Sequence, residues 1–357
     1  MSADLSVVIC SLNGAAGVDR CLRALAAQKD VELQIIVVDD GSTDDTSEVA
    51  REHCVTVLRH EANRGASAAR NTGIRAATAP VVAFLDDDCE PEPEWARELL
   101  KAYSRGVIGV GGPLVPQPSE SYLLGFLQRN NPLLPLEMNL AHSEKLLYRL
   151  YLYVLRQWAP EQPHEGREVY TLVGANMSFL RDVAAEIGFD ERFRFGAEDL
   201  DVCLQLRRGF PGGRLVVTPG AVVRHHFEPY LRDTLRRSRV YGRGCAMLYL
   251  KWPTMRPTIF PGPVLTCALL AGSIFVPFLL IAAVLLPQLL YPAGLRLAVR
   301  SKRPACMLDP YVRLAQETYT NIGYLQGLWR YRGFAPEPAA STAARLPQET
   351  TAARSQR

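Results

Sequence analysis

Short apolar runs alternate with helical patterns over the first 115 residues of the chain. Apolar runs typical of buried strands occupy residues 6–11, 33–39, 55–59, 81–85 and 107–111. Between the first two runs, Val18, Cys21, Leu22 and Leu25 recur at the spacing of one helix face. Strands that alternate with helices predict an α/β fold with a mixed, mainly parallel sheet.

The pattern changes three times after residue 115. A Leu- and Tyr-rich stretch at 119–165 predicts a helical insertion, and a mixed strand and helix pattern resumes from 169 to 224. A basic, aromatic run follows, and residues 308–334 are again amphipathic. The Ala-, Thr- and Pro-rich end predicts a disordered tail. We therefore expect four segments, with the bounds 1–115, 116–227, 228–334 and 335–357.

One segment carries no charged side chain. Residues 257–295 lack Asp, Glu, Lys and Arg, and their centre at 264–286 has 23 apolar or small residues, enough to cross about 30 Å of hydrocarbon. We expect membrane-associated helices with an apolar core at 259–292. Basic residues flank both sides equally, which favours both flanks on the cytosolic side. A kinked crossing, a re-entrant hairpin and a buried core helix all remain open, because Pro277 interrupts the run.

Composition excludes several classes of protein. The chain has 357 residues, 48% of them hydrophobic, and 40 Lys+Arg against 37 Asp+Glu, so it is globular and offers no general attraction to nucleic acid. The 8 cysteines form no CxxC pair, which gives no sign of a zinc site or a disulfide framework. Asp4 and a short apolar run at the N-terminus differ from a signal peptide, so we expect a cytosolic start.

Polar side chains follow the predicted strands where each strand ends. Ligands of parallel sheets bind beyond these carboxyl ends, so the residues there are candidates for chemistry. Three consecutive aspartates cannot remain ionised together in a partly buried site without a compensating cation. Mg²⁺ or Mn²⁺ held by Asp86 and Asp88 is the natural compensator. The polar strand ends are Ser11 and Asn13 after the first strand, Asp39 and Asp40 after the second, and 86–88 after the fourth.

These motifs resemble a known enzyme family. In order along the chain they are SVVICSLNG, VVDDGSTDDT, NRGASAARNTG, FLDDDCEP and, at 196–209, GAEDLDVCLQLRRG. They are similar to those of family 2 glycosyltransferases, and they span residues 6 to about 226. The resemblance implies a GT-A fold, with the nucleotide-sugar-binding half at 1–115 and the acceptor-side half at 116–227. One departure is Cys10-Ser11 where the family usually has proline and threonine; Ser11 keeps the hydroxyl.

The resemblance also implies roles for residues of the donor site. Ser11 and Asn13 would lie in the nucleotide site. One of Asp39 and Asp40 would accept the N3 hydrogen of a uracil or related base; we favour Asp39, and the choice stays open. Arg70 would contact the base or its phosphates, and Asp86 would contact the ribose. Asp86 and Asp88 would bind the Mg²⁺ or Mn²⁺ that bridges the diphosphate.

On the acceptor side, the resemblance assigns Asp199 as the general base. Glu198 and Asp199 would begin a helix, where acids also compensate the helix dipole. One base opposite a metal-bound diphosphate implies displacement with inversion. Residues 174–176, which are Gly174, Ala175 and Asn176, would line the donor sugar and the acceptor.

Two further candidates follow the acidic motif. Of the adjacent His225 and His226, at most one can face the site if they lie on a strand, and we name His226 as a possible metal ligand. Arg239 lies in the basic run 228–256, where processive members carry a QxxRW motif; here Arg236 and Val240 replace Gln and Trp, so a polymer-extruding synthase is not expected.

Taken together, the sequence predicts a metal-dependent, inverting glycosyltransferase at the cytosolic face of the cytoplasmic membrane. Its donor would be a UDP-, GDP- or dTDP-linked sugar, and its hydroxyl acceptor a lipid-linked or cell-envelope glycan. The alternatives are a membrane-tethered nucleotide-sugar-binding protein without transfer activity and a nucleotidyltransferase. The latter would need a Gly-rich phosphate loop after the first strand, and the chain has only Arg20 there.

Overall fold

The structure, a computed structural model, describes residues 3–134, 147, 150, 151, 153–155, 167–194, 196–252 and 259–334. Among these residues, eight strands form one mixed sheet in the order β3-β2-β1-β4-β9-β6-β10-β8, and three form a small sheet in the order β5-β11-β7. The strands are β1 Leu5–Ser11, β2 Leu33–Asp39, β3 Thr56–Arg59, β4 Val81–Asp86, β5 Cys89–Pro91, β6 Val107–Gly111, β7 Leu114–Pro116, β8 Arg167–Glu168, β9 Asn176–Leu180, β10 Arg214–Val217 and β11 Val223–His225.

Helices follow most of these strands. In chain order they are α1 Ala15–Ala26, α2 Thr46–Glu52, α3 Ala66–Ala76, α4 Trp95–Lys101, α5 Tyr122–Arg129, α6 Arg181–Ile187, α7 Glu198–Gly209, α8 Leu231–Lys251, α9 Pro261–Gly272, α10 Leu279–Leu290, α11 Pro292–Ser301 and α12 Asp309–Arg330, with a 3₁₀ turn at Pro304–Leu308. The five predicted strands and the helices between them are confirmed, and β1 to β4 are parallel neighbours. The α/β class and mainly parallel sheet are therefore confirmed.

Helices cover both faces of the large sheet. Alternate residues of β1 point to opposite faces, so Leu5, Val7 and Ile9 pack with α1, α2 and α4, while Val8 packs with α3, α6 and α7. All four side chains are fully buried. This explains why the strands appear in the sequence as continuous apolar runs: neither face meets water.

The C-terminal helices α8 and α12 pack closely along each other. Glycines make this possible: a Cβ on Gly242 would lie 2.1 Å from the Thr320 carbonyl oxygen, and one on Gly323 would lie 2.1 Å from the Arg239 carbonyl oxygen. The α8 helix also contacts the segment before α7, since a Cβ on Gly244 would lie 2.5 Å from the Gly196 carbonyl oxygen. The α8 helix thus packs against both the segment before α7 and the last helix, α12.

The predicted apolar segment forms two helices, α9 and α10. Helical structure is interrupted at residues 273–278, around Pro277, between α9 and α10. No single helix among the described residues is long and apolar enough to cross a bilayer; α10 and α11 pass that test together, across a bend of 70°. The predicted tail at 335–357, and most of the predicted insertion between 135 and 165, lie outside the described residues.

Candidate active site

Three aspartates form a tight turn between the large and the small sheet. Asp86 ends β4, and Cys89 begins β5 only three residues later. The Ser11 hydroxyl at the end of β1 donates a hydrogen bond to the Asp87 carboxylate. Gly14 lies so close that a Cβ there would be 1.9 Å from Asp87 Oδ2. Ser11, predicted as a nucleotide-site residue, therefore holds this acidic turn in place.

The three carboxylates destabilise one another's charge. Burial, together with the charges of Asp86 and Asp87, raises the pKa of Asp88 to about 8. Burial also raises the pKa of Asp87 to about 6, although the hydrogen bond from Ser11 acts in the opposite direction. The pKa of Asp86 is raised by burial too, against the pull of Arg70. A divalent cation would relieve this repulsion, so the turn fits one electrostatically.

His225, not His226, lies next to this turn. His225 Nε2 is 3.3 Å from Asp88 Oδ1, whereas His226 Nε2 is 2.8 Å from Glu90 Oε1. Burial lowers the pKa of His225 to about 3, with a further contribution from the charge of Arg237, so its imidazole is neutral and able to bind a metal. The prediction of His226 is corrected to His225, because β11 turns His225 inward and the chain leaves the strand after it.

Asp88, Cys89 and His225 bring their ligand atoms within 4.8 Å of one another. Cys89 is not suited to a hard cation, because burial raises its thiol pKa well above the usual value and the thiol donates to the Ala175 carbonyl oxygen. Among the described residues, His225 Nδ1 is buried without a hydrogen-bond partner. Carboxylate oxygens with one imidazole suit Mn²⁺ or Mg²⁺ better than a thiophilic metal.

A buried arginine joins the acidic turn to Glu198, the neighbour of the predicted base. Arg70, on α3, is 3% exposed. Its Nη2 donates to Asp86 Oδ1 at 3.0 Å, and its Nη1 donates to Glu198 Oε1 at 2.8 Å. Arg70 was predicted to contact a base or phosphate; in this structure its fork is engaged by the two acids. The guanidinium thereby sets the separation of β4 and α7.

Asp199 is held at the start of α7 next to this arginine. The Gly174 N–H donates to Asp199 Oδ2 at 3.0 Å, and the Leu200 N–H donates to Oδ1 at 2.8 Å. Burial raises the pKa of Asp199 to about 6, and the neighbouring charge of Glu198 adds to the effect. A carboxylate with a pKa this close to neutral is ionised at pH 7 and is still basic enough to take a proton.

Asp39 and Asp40 are both engaged in holding loops. Asp39 is 0% exposed, and it accepts hydrogen bonds from the Ser42 N–H at 2.7 Å and from the Ser47 hydroxyl. Burial alone would raise its pKa, but these bonds prevail and lower it. Asp40 accepts from the Gly65 N–H at 2.7 Å. Our preference for Asp39 as the base-binding acid conflicts with this geometry, since Asp39 presents no surface to a ligand.

Two other predicted ligand contacts have internal partners. Asn13 adopts a positive φ of 57° and its side-chain oxygen accepts from the Thr43 N–H at 2.8 Å. Asn176 is 1% exposed, and Trp95 Nε1 donates to its side-chain oxygen at 2.9 Å. Asn176 was predicted to line the donor sugar and the acceptor. It instead begins β9, and its side chain bonds to Trp95 in the core. Ala175 beside it is also buried.

Arg239 points away from the acids. Its Nε donates to Gln326 Oε1 on α12 at 2.8 Å. Arg237 is two residues away, about 200° around the helix, and therefore on the other side. Its charge partly offsets the raised pKa of Asp86 and Asp88, and its guanidinium stacks 5.0 Å from the centre of the Phe227 ring. The structure therefore places Arg237, and not the predicted Arg239, on the side of the acids.

Tyr241 was missed by the sequence reasoning. It is one helical turn after Arg237, and its pKa is raised by burial, with contributions from the charges of Asp199 and Asp86. A cavity of about 510 Å³ opens beside this face of α8, and its lining includes Arg236, Arg237 and Val240. Its volume is typical of a small-molecule site. The i, i+4 spacing of Arg237 and Tyr241 places both on one face of a helix, but several arginines surround them in the sequence, so this pair does not stand out.

Sequence comparison identifies the family. The model of "Glycosyl transferase family 2" matches residues 6–187, half of the chain, and that of "Glycosyl transferase family group 2" matches residues 161–297. The chain belongs to glycosyltransferase family 2. The family resemblance inferred from the motifs is therefore confirmed.

Two curated glycosyltransferases with different names are similar to this chain. The chain is 32% identical over 255 residues to the pre-mycofactocin glycosyltransferase of Mycobacterium tuberculosis, covering 70% of this chain and 48% of the relative. It is 28% identical over 246 residues to the glucosyl-dolichyl phosphate glucuronosyltransferase of Haloferax volcanii, covering 63% of this chain and 70% of the relative. The chain thus spans about half the length of the first of these relatives.

A solved mannosyltransferase shares the fold. The mannosyltransferase PcManGT from Pyrobaculum calidifontis, solved with GDP-Man and Mn²⁺, superposes with a TM-score of 0.54 at 19% identity, covering 92% of this chain and 88% of that one. The likeness extends over nearly the whole chain. The GT-A fold predicted from the motifs is confirmed.

Proposed function

We propose that this family 2 protein transfers a sugar from a nucleoside-diphosphate sugar to a hydroxyl acceptor, with inversion at the anomeric carbon. One observation carries the proposal: Arg70 joins Asp86 of the acidic turn to Glu198, the neighbour of Asp199. A group able to bind the cation of a diphosphate and a base of raised pKa are thereby held on two sides of one buried guanidinium. Transfer needs these two functions at a fixed distance.

Asp86, Asp88 and His225 would hold Mn²⁺ or Mg²⁺. The raised pKa of the aspartates and the position of His225 Nε2, 3.3 Å from Asp88 Oδ1, support this set. When bound, the cation neutralises charge that develops on the departing diphosphate. Arg237 lies within electrostatic reach of the same acids and would add a guanidinium on the diphosphate side.

Asp199 would accept the proton of the acceptor hydroxyl. The hydroxyl oxygen then bonds to the anomeric carbon on the face opposite the diphosphate, and the carbon–oxygen bond to the diphosphate breaks with its electron pair on the leaving group. The Gly174 and Leu200 N–H groups orient Asp199, and Glu198 raises its pKa. A second carboxylate nucleophile is not required, so the product is inverted.

The acceptor we propose is lipid-linked, and the site of action is the cytosolic face of the cytoplasmic membrane. The exposed apolar surface of α9 and α10 supports this, as does the name of the Haloferax relative, which acts on a dolichyl phosphate sugar. The name of the mycobacterial relative favours a second class, an acceptor that resembles pre-mycofactocin. A nucleotide-sugar-binding protein without activity is disfavoured because the predicted base and acidic turn are intact.

Asp199→Asn tests the proposal. We expect donor hydrolysis and transfer to fall by about 10²–10⁴-fold, with donor binding nearly unchanged, because the substitution removes the base and keeps the shape. Purified protein would be assayed with Mn²⁺ against UDP-, GDP- and dTDP-sugars, with polyprenyl phosphate sugars and soluble glycosides as acceptors. Asp182→Asn is a matched control, since Asp182 also begins a helix but is exposed. Unchanged transfer by Asp199→Asn would contradict the mechanism.

A further inference from the structure

The helices α9 and α10 form a hairpin whose apolar side chains face outward. Its turn, residues 273–278, carries the two most exposed of them, Ile274 at 78% and Phe275 at 85%, and also Phe278 at 69%. Charged side chains are absent from residues 257–295. Exposed apolar surface of this extent is rare on proteins that contact only water, and it marks an interaction site.

Most N–H groups of the hairpin turn are hydrogen-bonded within the hairpin. Residues between helices normally hydrogen-bond to water, and this is not available in hydrocarbon. Here the Ser273 hydroxyl, the polar side chain of the turn, donates to the Leu270 carbonyl oxygen at 2.7 Å, and Pro277 has no N–H to satisfy. N–H groups that donate to carbonyl oxygens within the hairpin are those of Ser273, Ile274, Phe275, Val276, Leu279 and Leu280.

The helix after the hairpin has a different character. At Tyr291–Pro292 the chain bends by 70° into α11, which buries Gly294 and Ala298 and exposes Val299. No acid occurs between residues 292 and 308, and the exposed basic residues there are Arg296, Arg300, Lys302 and Arg303. An amphipathic helix with basic residues, set at a steep angle to an apolar helix, matches the boundary between hydrocarbon and headgroups.

We propose that α9 and α10 enter one leaflet of an anionic bilayer as a re-entrant hairpin, with α11 lying in the headgroup layer. Each hairpin helix has 12 residues and is about 18 Å long, roughly one leaflet and well short of the about 30 Å of a full hydrocarbon core. Both flanks of the hairpin then stay on one side. The inference deepens the proposed membrane association, and it does not depend on sugar transfer.

Basic residues distinguish a lipid surface from a second copy of this chain. If the same surface of a second copy packed against this one, it would have to place acids opposite the exposed basic stretch. The hairpin and α11 contain no acids, since none lies between residues 257 and 308. Anionic headgroups supply that charge directly. Lipid also accommodates the aromatic tip at Phe275 and Phe278 without a matching pocket.

Two native cysteines allow a direct test. Cys267 lies on α9 and Cys54 lies on the catalytic half, and both are exposed. The full chain, without sugar nucleotide, would be mixed with phosphatidylglycerol-containing vesicles and treated with a water-soluble maleimide, and the labelled peptides quantified by mass spectrometry. We expect vesicles to suppress labelling of Cys267 and to leave Cys54 unchanged. Equal labelling of Cys267 with and without vesicles overturns the proposal, as does a Cys267 already protected in a soluble oligomer.

The depth of insertion is tested by a maleimide trapped inside sealed vesicles. Phe275→Cys and Arg303→Cys should both escape labelling from inside, and Arg303→Cys should be labelled from outside. Labelling of Phe275→Cys or Arg303→Cys from the lumen would mean that the segment crosses, which contradicts a single-leaflet hairpin.

A paired substitution links insertion to the tip. Ile274→Asp combined with Phe275→Asp should weaken vesicle binding by about tenfold or more, because carboxylates are costly in hydrocarbon. Val115→Asp, at a 39% exposed apolar position on β7, should leave binding unchanged. Hydrolysis of the donor by the wild type is measured in parallel in vesicle-free solution. If the wild type does not hydrolyse any donor, the proposed function fails. If the tip variant binds vesicles as well as the wild type does, this inference fails.

Discussion

The raised pKa of Asp199 makes the rate of transfer depend on pH. With a pKa of about 6, a base that must be ionised is active in about one-eleventh of molecules at pH 5 and in about ten-elevenths at pH 7. We therefore expect kcat to rise about tenfold between these values and then to level. Protons also compete with the cation at Asp88, so Mn²⁺ must be saturating at every pH.

Glu198→Gln identifies Asp199 as the group responsible. Burial is the largest cause of the raised pKa of Asp199, and the charge of Glu198 is the next. Removing that charge lowers the pKa, so the rising limb of kcat should move to lower pH. Glu191→Gln is a matched control: Glu191 pairs with Arg64 at 2.9 Å on the surface and should leave the profile unchanged. The assay is release of nucleoside diphosphate from pH 4.5 to 8, with donor binding measured by calorimetry.

Two results would refute this reasoning. The first is a flat kcat between pH 5 and 7 in the wild type with donor and Mn²⁺ bound, which would mean that Asp199 does not take the proton in the slow step. The second is a limb that moves to higher pH in Glu198→Gln, which would mean that Glu198 does not raise the pKa of Asp199.

Three further variants test separate contacts. Arg70→Lys should lower kcat by about tenfold or more, because an ammonium cannot donate in two fixed directions to Asp86 and Glu198; steady-state kinetics measures it. Arg237→Gln should lower transfer while Arg239→Gln does not, and competition with inorganic diphosphate measures the affinity involved. Lys251→Met should lower the free energy of unfolding by about 3–5 kcal/mol, since it leaves partly buried Asp190 and buried Asp201 without this ammonium at 2.8 and 2.9 Å; urea denaturation measures it.

These variants have their own contradicting outcomes. A kcat of Arg70→Lys equal to that of the wild type would show that transfer does not need the two guanidinium hydrogen bonds of Arg70. Equal losses in Arg237→Gln and Arg239→Gln would show that the whole basic face matters and not one side of α8. A fully stable Lys251→Met would show that water reaches the two carboxylates.

The first half of the fold could be predicted because its cause is local. In β1 and β4 both faces are buried, so each of these strands is a continuous apolar run, and the first four strands end in polar residues at the edge where parallel strands meet. The small sheet of β5, β7 and β11 was not predicted, since its three strands have three residues each and no detectable period.

The site was predicted by residue type but not by orientation. The acidic turn and Asp199 stand out in the sequence, whereas the choices between His225 and His226 and between Arg237 and Arg239 depend on where β11 ends and how α8 is rotated against α12. Asn176 was misassigned for a similar reason: a polar residue next to a functional loop can equally serve the core, here through Trp95. Tertiary packing decides such cases.

Mn²⁺ affinity at the acidic turn tests the central claim most directly. It can be measured by the electron paramagnetic resonance of free Mn²⁺ on the wild type, on Asp88→Asn and on the control Glu94→Gln, whose carboxylate pairs with Arg97 at the surface. We predict that affinity increases from pH 6 to 8 as Asp88, with its pKa of about 8, loses its proton, and that Asp88→Asn weakens it by about tenfold or more. Equal affinity in wild type and Asp88→Asn, with no dependence on pH, would contradict the account.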